Sequence, residues 1–169
     1  MKKIIILVLC LISAASVCFA QSDPVEGFWL SIDDNTNRVT AGWQIYQENG
    51  RLFGKILSLA DHPRGTIAEP CRESYRGFPV AGRVNTMPVA GTPWIFGLTR
   101  HRHGEWSGGS IINPEDGRMY NCRIIFHAAD GRRYQTDTLE TRGEIGLGIG
   151  RSQFWRKTDE RGANGLWRE

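Results

Sequence analysis

Along most of this chain apolar and polar positions alternate with a period of two, the repeat of a strand with one buried face. The alternation is clearest in residues 106–126, where two extended runs flank Asn113-Pro114-Glu115-Asp116-Gly117. Those five are turn formers: Pro114 pre-sets φ, Asp116 bonds its own backbone and Gly117 accepts positive φ. Beyond the turn, Tyr120, Cys122, Ile124 and Phe126 share one face, with Asn121, Arg123 and His127 on the other and Ile125 as the apolar exception. Residues 38–48 repeat the pattern, with Val39, Ala41, Trp43 and Ile45 set against Thr40, Gln44 and Glu48. Asn49-Gly50, a strong hairpin signal, then leads into a partner strand over 51–59. Residues 25–32, 94–100, 134–143 and 149–157 read as further strands.

The pattern predicts an all-β, antiparallel up-and-down barrel of about eight strands, with no convincing amphipathic helix. Closure would remove the exposed sheet edges that invite aggregation. Gly54 inside its strand predicts a bulge or a close approach, and Gly108-Gly109 predicts the bend that lets a strand curl around a barrel. Residues 60–93 break the alternation with repeated prolines and glycines, which predicts a functional flap or an excursion over the surface. Residues 80–84 are expected to pair briefly with a sheet edge, and the polar tail, 159–169, to be loosely held.

The first twenty residues stand apart. Lys2 and Lys3 precede a short apolar core, and Cys18-Phe19-Ala20 fits a small-x-small cleavage site before Gln21. This predicts a signal peptide, 1–20, cleaved after Ala20, and a periplasmic or secreted protein. Lipid attachment at Cys18 is disfavoured because Val17 stands where a small residue is wanted. The expected mature chain is one domain over 21–158 followed by its tail, with no segment long and apolar enough to span a bilayer. It carries 17 Arg and 2 Lys against 18 acids. With the arginines scattered among the acids, there is no basic stripe for nucleic acid. Cys71 and Cys122 survive cleavage, and an even pair in an oxidising compartment predicts a disulfide, worth about 4 kcal/mol in the chain-entropy model.

Several runs carry a resemblance. Asp23-Pro24-Val25-Glu26-Gly27-Phe28-Trp29, Arg76-Gly77-Phe78-Pro79-Val80, Trp106-Ser107-Gly108-Gly109-Ser110-Ile111, the 113–120 turn and Gly150-Arg151-Ser152-Gln153-Phe154-Trp155 resemble the secreted bacterial family known as domain of unknown function 2147. The resemblance runs from about residue 24 to 157 and implies a lipocalin-like (calycin-type) barrel without an assigned activity. Many members carry two cysteines around the first hairpin, whereas Gln47-Glu48-Asn49-Gly50-Arg51-Leu52-Phe53 has none. Gly27-Phe28-Trp29 is also similar to the Gly-x-Trp of lipocalins, which implies that Trp29 plugs one barrel end beneath a cation from Arg151 or Arg156.

Chemistry-bearing residues are few. His101-x-His103 would make a metal site only with further donors such as Glu105 or His62, and a solvated turn is the simpler account. Ser107 beside Gly108-Gly109 lacks the strand–turn–helix setting of a nucleophile. Gly146–Gly150 has no lysine or following helix to cradle phosphate. No metal, cofactor or catalytic residue is expected. The aromatic surplus is the more promising feature: Trp43, Phe53, Trp94, Phe96, Trp106 and Tyr120 are the candidate lining of a cup beneath the 60–93 segment. The leading expectation is a non-catalytic barrel that binds a small apolar or amphipathic molecule. A side-chain-filled barrel acting as an envelope interaction or assembly module is the alternative, and a hydrolytic enzyme is a weaker one.

Overall fold

The computed structural model describes residues 22–146 and 149–167, so residues 1–20, with Cys18, lie outside the described part, as do residues 147–148 of the glycine-rich turn. Eight antiparallel strands close into a barrel in chain order. They are β1 (Gly27–Ile32), β2 (Val39–Glu48), β3 (Arg51–Leu59), β4 (Pro93–Arg102), β5 (Glu105–Ile112), β6 (Met119–His127), β7 (Thr138–Glu144) and β8 (Gly150–Thr158). The seam is the pairing of β1 with β8, Phe28 opposite Thr158 and Leu30 opposite Arg156. This is the all-β, up-and-down barrel that the alternation predicts.

The turns form for the reasons their residues supply. Asn49 and Gly50 both take positive φ, 50° and 72°, the backbone that matches strand twist in a two-residue hairpin. Asp33 Oδ1 accepts from the N–H groups of Asn35 and Thr36 and from the Thr36 hydroxyl, closing the β1–β2 turn. Curvature comes from irregular pairing. The β5–β6 register shifts between Trp106 and Gly109, so Gly108-Gly109 is the expected bend. A side chain at Gly109 would strike the backbone of β4. Gly54 is crowded by Ile45 and Ile95 side chains, and the β3–β4 register shifts around it.

One barrel end is plugged. Trp29 is fully buried, its Nε1 donates to Val25 O at 2.9 Å, and its ring meets Phe126 edge-on at 6.3 Å. The cation over that ring is Lys157, with Nζ 4.2 Å from the centroid, not Arg151 or Arg156. Arg151 instead pairs with Asp34 and Arg156 donates to Asn37. The register is the reason: Lys157 lies directly opposite Trp29. Such a contact is worth about 1–2 kcal/mol when desolvated. Lys157 Nζ also donates to Glu26 O, and burial pushes its pKa below the usual lysine range. Gly27, at φ 119°, leaves room for that amine. Nearby, buried Asp23 accepts from Gly104 N and pairs with Arg100 at 3.2 Å.

The 60–93 excursion is anchored. The Tyr75 hydroxyl donates to Gly117 O at 2.6 Å, and Phe78 packs against Trp94 and Phe96. Residues 80–84 form no strand. The excursion joins the sheet further on, by a bridge between Ile56 and Ala90, and carries a 3-10 turn, Val84–Thr86.

Two other expectations change. The tail is not loose: Glu160–Asn164 forms a short helix, α1, capped by Asp159. Ala163 is fully buried against β2 at Gly42, where a Cβ would collide with its carbonyl. The Ser58 hydroxyl donates to that same carbonyl at 2.6 Å and accepts from Leu166 N at 3.3 Å. Nor are Cys71 and Cys122 bridged; both are free and buried. Cys71 Sγ lies 4.0 Å from Pro114 O at the β5–β6 turn. Cys122 instead lies within the sheet, on β6 opposite Gly109 and Gly143, with its side chain buried there.

Candidate functional site

The turns between β1 and β2, β5 and β6, and β7 and β8 rise around the barrel end opposite Trp29, together with the start of the excursion. They surround a cavity of about 1010 Å3. Its deep wall is apolar. Trp43 stacks on Trp155 with centroids 4.7 Å apart, and Ile56, Leu59, Ile111 and Ile112 complete it. Alternation explains the selection. Trp43 pairs with Ile56 and Ile111 with Tyr120, so each pair presents both side chains to the same side of the sheet.

Polar groups in the wall are mostly spoken for. Ser31 Oγ accepts from Trp43 Nε1 and Ala41 N and shares a 2.7 Å bond with Thr40 Oγ1. Gln153 Oε1 accepts from Trp155 Nε1. Thr141 differs: only 4% exposed, it lines the cavity, and its Oγ1 finds no partner among the described residues. The rim is charged, with Asp33, Asp61, Glu115, Asp116 and Arg151 around it. The Thr36 hydroxyl and N–H hold the Asp33 carboxyl below the usual carboxylate range. Of the excursion, His62, Thr66, Ile67, Pro70 and Val89 reach the mouth.

A family of uncharacterized proteins conserved in bacteria, DUF2147, has a family model that matches residues 27–157. The chain belongs to this family. Among solved structures, this DUF2147 barrel is similar to protein HP1028 from the human pathogen Helicobacter pylori, described as belonging to the lipocalin family. The TM-score is 0.63 at 13% identity over 83% of this chain and 87% of that one, a likeness of fold. No curated protein matches the sequence.

In this DUF2147 protein two of the six aromatic candidates, Trp43 and Tyr120, line the cavity. The other four do not. Phe53 stacks on Tyr46 at 5.8 Å, on the side of the sheet away from Gly54 and the interior. Trp94 and Phe96 are packed against Phe78, and Trp94 Nε1 donates to Val89 O. Trp106 is opposite Ile124 near the plugged end, its Nε1 without a partner among the described residues. Trp155, next to the Arg151–Gln153 run, is the aromatic that belongs in the lining instead. Its signal was present in the alternation of β8, where Gln153 and Trp155 share a face.

The residues weighed for other chemistry are scattered. His101 and His103 lie at the β4–β5 turn, and His103 Nδ1 sits 3.0 Å from Arg100. His62 is at the opposite, open end. Glu105 is held by Arg102 at 2.7 Å and by Arg123 at 2.5 Å, and the Arg123 hydrogen bond keeps its carboxyl below the usual range. Ser107 lies on β5, its carbonyl accepting from Thr99 Oγ1. Among the described residues no helix is long and apolar enough to cross a membrane.

Proposed function

We propose that this barrel is an exported, non-catalytic binding protein for a small apolar or amphipathic molecule. The observation that carries the reading is the open-ended cavity of about 1010 Å3 floored by the Trp43–Trp155 stack, at the upper end of the range for small-molecule sites. The same cavity weighs against a side-chain-filled assembly module, which needs a packed interior. The scattered placement of His101, His103, Glu105 and Ser107 supports no hydrolytic site. The N-terminal segment supports export to the periplasm or beyond.

Native mass spectrometry of protein purified from its own cell envelope tests the binding. The expected result is a co-purifying adduct that denaturation releases, together with an N-terminus at Gln21. A ligand-free mass, with no quenching or enhancement of tryptophan emission on titration with apolar probes, would retire the reading.

A further inference from the structure

The cavity is chemically zoned. Below the rim its lining holds no charged side chain: the polar groups are hydroxyls and one amide, those of Ser31, Thr40, Tyr120, Thr141 and Gln153. Ser31 and Thr40 bond each other, and the Gln153 oxygen is taken by Trp155, which leaves the NH2 of Gln153 as a donor. Thr141 is directly opposite Gln153 in the β7–β8 register, so its unpartnered hydroxyl and that amide form one polar spot in an apolar wall. An anionic headgroup placed there would be buried with its nearest lining cation, Arg151 two residues along β8, already tied to Asp34, which is costly.

The rim adds a second barrier. Four carboxylates line it (Asp33, Asp61, Glu115 and Asp116) against the single guanidinium of Arg151. Arg151 is tied to Asp34 at 2.9 Å and Asp61 faces Arg38 at 3.7 Å, and Asp33, Glu115 and Asp116 outnumber the guanidinium even with Asp61 left out of the tally. An approaching anion therefore meets net negative charge.

We infer that the cavity selects neutral amphiphiles over anionic ones, its ligand presenting a hydroxyl, carbonyl or amide to Thr141 and Gln153. This rests on the binding reading and gives it a substrate class. Thr141 Oγ1 is itself buried, so the contact asks a χ1 rotation of Thr141 that turns the hydroxyl into the cavity.

Displacement of diphenylhexatriene, a neutral hydrocarbon probe, from the mature protein provides the test, with dodecanol and dodecanoate as competitors at pH 8. Dodecanol is expected to displace at about tenfold lower concentration in low salt, and the gap to narrow at high salt as the exposed rim charges are screened. Thr141→Val is expected to weaken dodecanol about three- to tenfold, the worth of one hydrogen bond, while diphenylhexatriene affinity stays within about twofold. Thr141→Ser, which keeps the hydroxyl, restores dodecanol binding. The double variant Glu115→Gln, Asp116→Asn is expected to tighten dodecanoate. Dodecanoate binding as tightly as dodecanol, or Thr141→Val leaving dodecanol unchanged, overturns the inference while leaving the binding reading intact. Failure of the wild-type protein to bind diphenylhexatriene overturns both.

Discussion

Replacing Ser58 with alanine isolates what fastens the C-terminal segment to the barrel. Ser58 is fully buried on β3, and its hydroxyl makes two bonds across to the tail: it donates to Ala163 O at 2.6 Å and accepts from Leu166 N at 3.3 Å. Ala163 is itself fully buried, and its carbonyl lies against Gly42, so no water replaces the lost donor without separating α1 from β2. A buried acceptor left unmade costs about 1–3 kcal/mol, and the half-buried Leu166 N–H adds a smaller amount, for a total of about 2 kcal/mol. A chain of this size loses about 2–4 °C of Tm per kcal/mol, so Ser58→Ala is expected to melt about 4–8 °C lower. Urea denaturation followed by tryptophan emission should show a lower midpoint with an unchanged slope. Hydrogen exchange should speed up selectively in residues 160–166. A Tm within about 1 °C of wild type, with unchanged exchange there, would refute the claim that this hydroxyl holds the tail.

Two further predictions concern the excursion and the thiols. Burial pushes the Tyr75 hydroxyl up to about 12. The folded protein therefore holds this proton more tightly than the unfolded chain, so the contribution is complete below pH 10 and lost as pH rises toward 12. Tyr75→Phe should flatten stability across that window; an unchanged pH profile would contradict the assignment. Burial likewise raises the Cys71 and Cys122 thiols. Native protein lacking residues 1–20, and so Cys10 and Cys18, should resist iodoacetamide at pH 8, while the same protein denatured and unreduced should gain two adducts by intact mass; a denatured mass without adducts would show a bridge.

The sequence made the barrel legible where backbone chemistry is local. Asn49-Gly50 and the Asn113–Gly117 turn announce their hairpins through residues that tolerate the required φ, and period two marks the faces of β2 and β6. It was silent where the outcome depends on which face closes inward and on register between strands far apart in sequence. Phe96 alternates as a lining residue would, yet it lies opposite Ser110, which in turn lies opposite exposed Asn121, and Phe78 covers it from the excursion. The cation over Trp29 depends on the β1–β8 register, which no local pattern encodes, so Arg151 and Arg156 were as plausible as Lys157. Helix α1 spans five residues, too few to display a helical period, and its docking depends on Gly42 and Ser58, over a hundred residues earlier.

The seam between β1 and β8 has a consequence for how the molecule comes into being. Its earliest strand has only one neighbour, β2, until the last strand exists, and α1 then locks over β2 and β3 from beyond that last strand. A growing chain therefore cannot complete the barrel piecemeal. Closure waits for the whole length, and the final residues made act as the latch on the first.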